Sequence, residues 1–197
     1  KEHPKDLSVE EILIRSSNVG SVVLAKKIGE ENFKEFISKT KLTLSPEIEL
    51  EEVGVPHDLK WNSCKLETIS YGHGITTTPL QATALYAAMS NGGKLVSPTL
   101  IKEKKIKKFK KIISNDTSDK LNRILRKVVN SEYGTASLAD KDGYFVGGKT
   151  GTAESYGDNK NRINSFISVF PTNEPKYTLF IMLENPKINR KLIYNYR

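Results

Sequence analysis

Two short stretches hold residue types that do chemistry at useful spacing. Lys149-Thr150-Gly151-Thr152 puts an amine beside two hydroxyls, with a glycine between them that lets another chain approach closely. Ser16-Ser17-Asn18 offers two hydroxyls and a carboxamide at a break between apolar runs. Amine, hydroxyl and carboxamide can donate and accept protons and hold a polar substrate, but either string alone can arise by chance in a chain of this length. Each string is short, and each has a plainer reading. Ser16-Ser17-Asn18 are good helix caps, and a lysine at a strand end is ordinarily a solvated charge.

Lys149 also completes a second pattern. Gly143 to Thr150 satisfies G-x-x-x-x-G-K-[ST], the spacing of a phosphate-cradling loop. That reading requires a helix starting at Lys149 or Thr150, yet Tyr144, Phe145 and Val146 are strand formers and Gly151 follows the hydroxyl. Metal chemistry has little to work with. The sequence has one cysteine, Cys64, expected to be a buried small side chain or an idle thiol, and His3, His57 and His73 lie far apart. His73 is expected to pack in a loop, and neither metal nor cofactor is expected.

The order of the longer stretches adds a resemblance. Arg15-Ser16-Ser17-Asn18-Val19-Gly20, then Ser70 to Gln81, then Ser90-Asn91-Gly92-Gly93, then Gly147-Gly148-Lys149-Thr150-Gly151-Thr152-Ala153 resemble class B penicillin-binding proteins. Glu52 to Pro56 and Gly72 to Pro79 are most similar to the division-specific transpeptidase of α-proteobacteria, and the likeness runs from about Leu7 to Asn185. It implies a peptidoglycan D,D-transpeptidase that is acylated by β-lactams and works on D-Ala-D-Ala stem peptides. The implied compartment is the periplasmic face of the inner membrane, with division-complex membrane proteins as partners and no nucleic acid. Ser16 would relay a proton to the departing D-Ala, and Asn18 would hold the substrate amide. Lys149 would supply positive potential, Thr150 and Thr152 would bind the terminal carboxylate, and Gly151 would leave room for an extended substrate.

The family's nucleophile belongs to an S-x-x-K ahead of S-x-N, and the fifteen residues before Ser16 contain none. The one S-x-x-K present, Ser38-Lys39-Thr40-Lys41, lies downstream and reads as coincidence. Residues 1–197 are therefore expected to be the C-terminal portion of one transpeptidase domain, truncated at the N-terminus and short at the C-terminus, and inactive alone.

The elements that must position these residues are legible in part. The length, 197 residues, fits one domain at a soft ~150 residues each. Ser8 with Glu11 predicts a helix start, and Val19 to Ile28 and Glu30 to Ser38 predict two more helices. Lys41 to Asn62 lacks a period. Thr78-Pro79 caps a helix over Leu80 to Ser90, stopped by Asn91-Gly92-Gly93. Strand-like pieces are expected over Lys94 to Ile101. Asp116, Thr117 or Ser118 should cap a helix whose face is Leu121, Ile124, Leu125, Val128 and Val129. Strands follow at Tyr144 to Lys149, Asn164 to Phe170 and Tyr177 to Leu183, with turns at Gly157-Asp158-Asn159 and Thr172 to Pro175. Helices first and an antiparallel sheet last give an α+β class, here a penicillin-binding transpeptidase (serine β-lactamase-like) fold, incomplete. The net charge is +8. Lys102 to Lys111, with one glutamate among its lysines, reads as a lysine-blunted edge or loop, with a polyanion-binding module as the competing reading.

Overall fold

Local capping chemistry starts most of the helices. The Ser8 hydroxyl accepts from the Glu11 N–H while the Glu11 carboxylate reaches back to the Ser8 N–H, which opens α1, Val9–Arg15. Ser17 caps α2, Asn18–Ile28, by accepting from the Gly20 N–H. Gly29, at φ 84°, separates α2 from α3, Glu30–Thr40. Thr78 caps α5, Pro79–Ser90, whose first residue is the proline. The structure is a computed structural model that describes residues 6–102, 110–154 and 161–187.

Three expectations are corrected, and one helix is added where the sequence marks none. The cap of α6, Asn115–Asn130, is Ser114, whose hydroxyl accepts from the Thr117 N–H, so the helix starts ahead of Asp116. A six-residue helix, α4 (Lys65–Ser70), lies where no cap signal marks one, because Cys64 precedes it at φ 66° without a side-chain hydrogen bond. Lys94 to Ile101 forms no strand; among the described residues its ladder is a single bridge from Lys94 to Lys111. The first strand, β1, is Gly147–Glu154 rather than Tyr144 to Lys149. Gly143 at φ 83° and Phe145 at φ 49° turn the chain just before it, and an extended run cannot pass through such positions. Residues 103–109 of the lysine run and the Gly157-Asp158-Asn159 turn lie outside the described residues.

β2 (Arg162–Phe170) pairs antiparallel with β1 and with β3 (Tyr177–Glu184), so the order is β1-β2-β3. The core lies between this sheet and the helices. Val128 and Val129 of α6 meet Ile14 of α1 and Ala136, and Phe166 of β2 packs against them. This is the 3.6-period face expected of α6, buried as hydrophobic transfer requires. Two glycines set close approaches. A Cβ on Gly20 would stand 2.6 Å from Ile12 Cγ1, and one on Gly147 would stand 2.9 Å from the Arg126 nitrogen. The first lets α2 fold back on α1, and the second lets β1 start against the backbone of α6. Among the described residues, no helix is long and apolar enough to cross a membrane.

Candidate active site

Ser16 ends α1 in the left-handed conformation, φ 57° and ψ 48°. A non-glycine residue there costs about 1–2 kcal/mol, offset by its own N–H bonding back to α1 and the Ser17 N–H bonding to the Ile12 carbonyl at 2.9 Å. The capping role falls to Ser17 alone, which leaves the Ser16 hydroxyl available. Asn18 follows as the first residue of α2 and is exposed.

The available hydroxyl meets Lys149. The Lys149 ammonium donates to Ser16 Oγ at 2.7 Å, across 133 positions of sequence, and to the Thr150 carbonyl at 3.1 Å. Burial pushes the Lys149 pKa from its usual 10.5 down to about 8. At pH 7 such an amine is still about nine-tenths protonated, so the site presents one positive charge beside a hydroxyl. Lys149 sits in mid-strand, paired with Ile167, and β1 continues to Glu154. No helix starts at Lys149 or Thr150, so the backbone N–H groups cannot curl around a phosphate, and the phosphate-loop reading falls.

The remaining expected residues line up along β1. Thr150 Oγ1 lies 2.9 Å from Thr135 Oγ1. Gly151 leaves no room for a side chain, since a Cβ there would be 2.6 Å from Ser165 Oγ. Thr152 is exposed, and β1 bonds to β2 on one side only among the described residues. Among the described residues the strand is thus an edge of the sheet. Ser38-Lys39-Thr40-Lys41 is elsewhere, at the end of α3. Its lysines pair with Glu35 and Glu47, and the Thr40 hydroxyl donates to the Ile37 carbonyl. Cys64, expected to be buried or idle, is an exposed free thiol. His73 stacks beside Tyr71, with ring centroids 6.4 Å apart.

The sequence reading missed three supports of the site. Arg126 of α6 donates through Nη1 to Asp140 Oδ1 and to the Val146 carbonyl, both at 2.8 Å, and so pins the residue before β1. The Arg15 guanidinium lies over the Tyr133 ring, 3.9 Å from its centroid. Thr135 is the third. No periodicity marks these contacts, because each acts across the fold. Arg15 alone carries a positional signal, since it precedes Ser16.

Known proteins resemble this chain in sequence and fold. The family described as penicillin binding protein transpeptidase domain matches residues 1–195. The probable peptidoglycan D,D-transpeptidase FtsI of Caulobacter vibrioides is 32% identical over 197 residues, covering 93% of this chain and 33% of that protein. The stage V sporulation protein D of Bacillus subtilis is 33% identical over 196 residues, covering 90% of this chain and 30% of its own length. The chain thus spans about a third of these curated relatives. Among solved structures, penicillin binding protein 3 of Mycobacterium tuberculosis complexed with aztreonam superposes with a TM-score of 0.84 at 25% identity, covering 91% of this chain and 45% of that one. With the family model matching residues 1–195, the chain belongs to the penicillin-binding protein transpeptidases.

Proposed function

We propose that this chain is part of a peptidoglycan D,D-transpeptidase that cross-links cell-wall stem peptides through an acyl-enzyme and is acylated by β-lactams. The observation that carries the reading is the 2.7 Å contact between Lys149 Nζ and Ser16 Oγ. A serine hydroxyl held by a charged amine can pass a proton to a departing amine and be reprotonated without moving. In this reading Lys149 also attracts the substrate's terminal carboxylate. The Thr150 and Thr152 hydroxyls donate to that carboxylate, and Asn18 holds the amide of the donor peptide. An extended peptide would add to the open edge of β1, with Gly151 removing the side chain that would block it. The Thr152 N–H would be one oxyanion donor.

The acylated serine of this mechanism is not among residues 1–197, where the single S-x-x-K has its lysines paired elsewhere. The nucleophile and its lysine are assigned to sequence outside this chain, the domain to the periplasmic face of the inner membrane, and division-complex membrane proteins are its expected partners. Fluorescent penicillin tests the reading. A polypeptide of these 197 residues should take no covalent label, while the full-length protein that contains them should label and release D-Ala from a stem pentapeptide. A full-length protein that does neither would end the transpeptidase assignment.

A further inference from the structure

The turn after α6 touches both sides of the Ser16–Lys149 contact, one residue away from each partner. On one side, Arg15 lays its guanidinium 3.9 Å from the centroid of Tyr133, and its Nε is buried without a hydrogen-bond partner. On the other, Thr135 Oγ1 is 2.9 Å from Thr150 Oγ1. The turn itself is firmly held. The Gly134 N–H donates to the Ser131 carbonyl at 3.0 Å and the Ala136 N–H to the Val128 carbonyl at 3.1 Å. Ala136 is buried in the core, and a Cβ on Gly134 would collide with the Val128 carbonyl oxygen.

The geometry points to Tyr133-Gly134-Thr135 as a positioning clip that holds the Ser16 junction and the Lys149-Thr150 strand in register for acyl transfer. The inference rests on the transpeptidase reading. Its chemistry follows from the hydrogen-bond inventory. A carboxylate only accepts, so a Thr150 hydroxyl that binds one must spend its single proton there. Its remaining need is a donor, and Thr135 is the hydroxyl placed to be that donor. The Thr135 proton then fixes the Thr150 rotor and polarises it toward the anion. Across the turn, the flat ring of Tyr133 meets the Arg15 cation, an attraction of electrostatic origin. Neither residue touches the reacting atoms, so both are positioning residues.

The test uses the full-length protein, fluorescent penicillin and the acylation rate constant measured against concentration. Thr135→Val should slow acylation about two- to ten-fold, the scale of one neutral hydrogen bond, with an unchanged melting temperature. Thr135→Ser should restore the rate. In a Thr150→Val background, Thr135→Val should add no further loss, since the hydroxyl it serves is gone. Tyr133→Leu should slow acylation about two- to five-fold, the scale of an exposed cation–π contact, while Tyr133→Phe keeps the ring and the rate. A Thr135→Val protein that acylates like the parent, or whose loss adds in full to that of Thr150→Val, would overturn the clip. Tyr133→Leu at the parent rate would overturn its Arg15 half, and it serves alone if Thr135→Val does not fold. A parent protein that takes no penicillin at all would instead defeat the transpeptidase reading, so the two failures are separable.

Discussion

Two serine–lysine pairs in this molecule teach opposite lessons about proximity. Ser38 and Lys41 are three residues apart at the end of α3, yet Lys41 is bound to Glu47 at 2.8 Å and Lys39 to Glu35. Ser16 and Lys149 are 133 positions apart and 2.7 Å from each other. A lysine near the surface is quickly satisfied by the nearest carboxylate, and the cost of that choice is small. A lysine carried inward on β1 loses water, and its folded position is chosen by the sheet and by α6. Spacing in sequence is thus a poor guide to the working pair, and burial with an uncharged partner is a better one.

The sharpest way to break the comparison is to remove each lysine in the full-length protein. Lys149→Ala should slow penicillin acylation by ~10²-fold or more, since losing one preorganised electrostatic contact in an acyl-transfer site costs about 2.7–4 kcal/mol. A loss under about three-fold would leave Ser16 and Lys149 as neighbours without a task. Stability against pH gives the next contrast. Between about pH 8 and 10.5 the unfolded chain keeps the Lys149 proton while the folded chain releases it. The unfolded state then binds more protons, so stability rises with pH across that window, and the burial penalty is fully present below it. Difference curves between the parent and Lys149→Met should show this rise.

Smaller effects sharpen the same contrast. Ser17→Ala should destabilise the protein by about 1 kcal/mol through loss of the α2 cap, read as a shift in denaturant midpoint. Ser16→Ala should change stability little and acylation severely. If the two serines exchange these phenotypes, the division of labour at the junction is wrong. The smallest effects belong to Ser38→Ala and Thr150→Ser. Both should stay within about two-fold of the parent acylation rate, since Ser38 is remote and serine keeps the hydroxyl of Thr150.

What could be read before the fold was known follows the reach of the forces involved. Helix starts at Ser8, Ser17 and Thr78 are decided within three residues, so their letters suffice. The strand at Gly147 was placed too early because propensity at Tyr144 to Val146 yields to the left-handed turn at Phe145. Lys94 to Ile101 reads as extended, but a strand needs a continuous partner, and among the described residues it has one bridge. Lys149, Ser16 and the β1 hydroxyls were legible through a family pattern. Arg15 on Tyr133, Thr135 on Thr150 and Arg126 on Val146 were not, because each contact depends on tertiary placement.

The depressed basicity of Lys149 has a consequence for covalent labelling. At pH 7 an amine of pKa about 8 is unprotonated roughly 300 times more often than one of pKa 10.5. A small electrophile such as cyanate should therefore carbamylate Lys149 faster in the folded protein than in the unfolded chain whenever the cleft admits it. Unfolding either side of the cleft would return the amine to ordinary basicity and erase that preference. The lysine would then serve as a chemical gauge of whether the serine junction and the strand remain together.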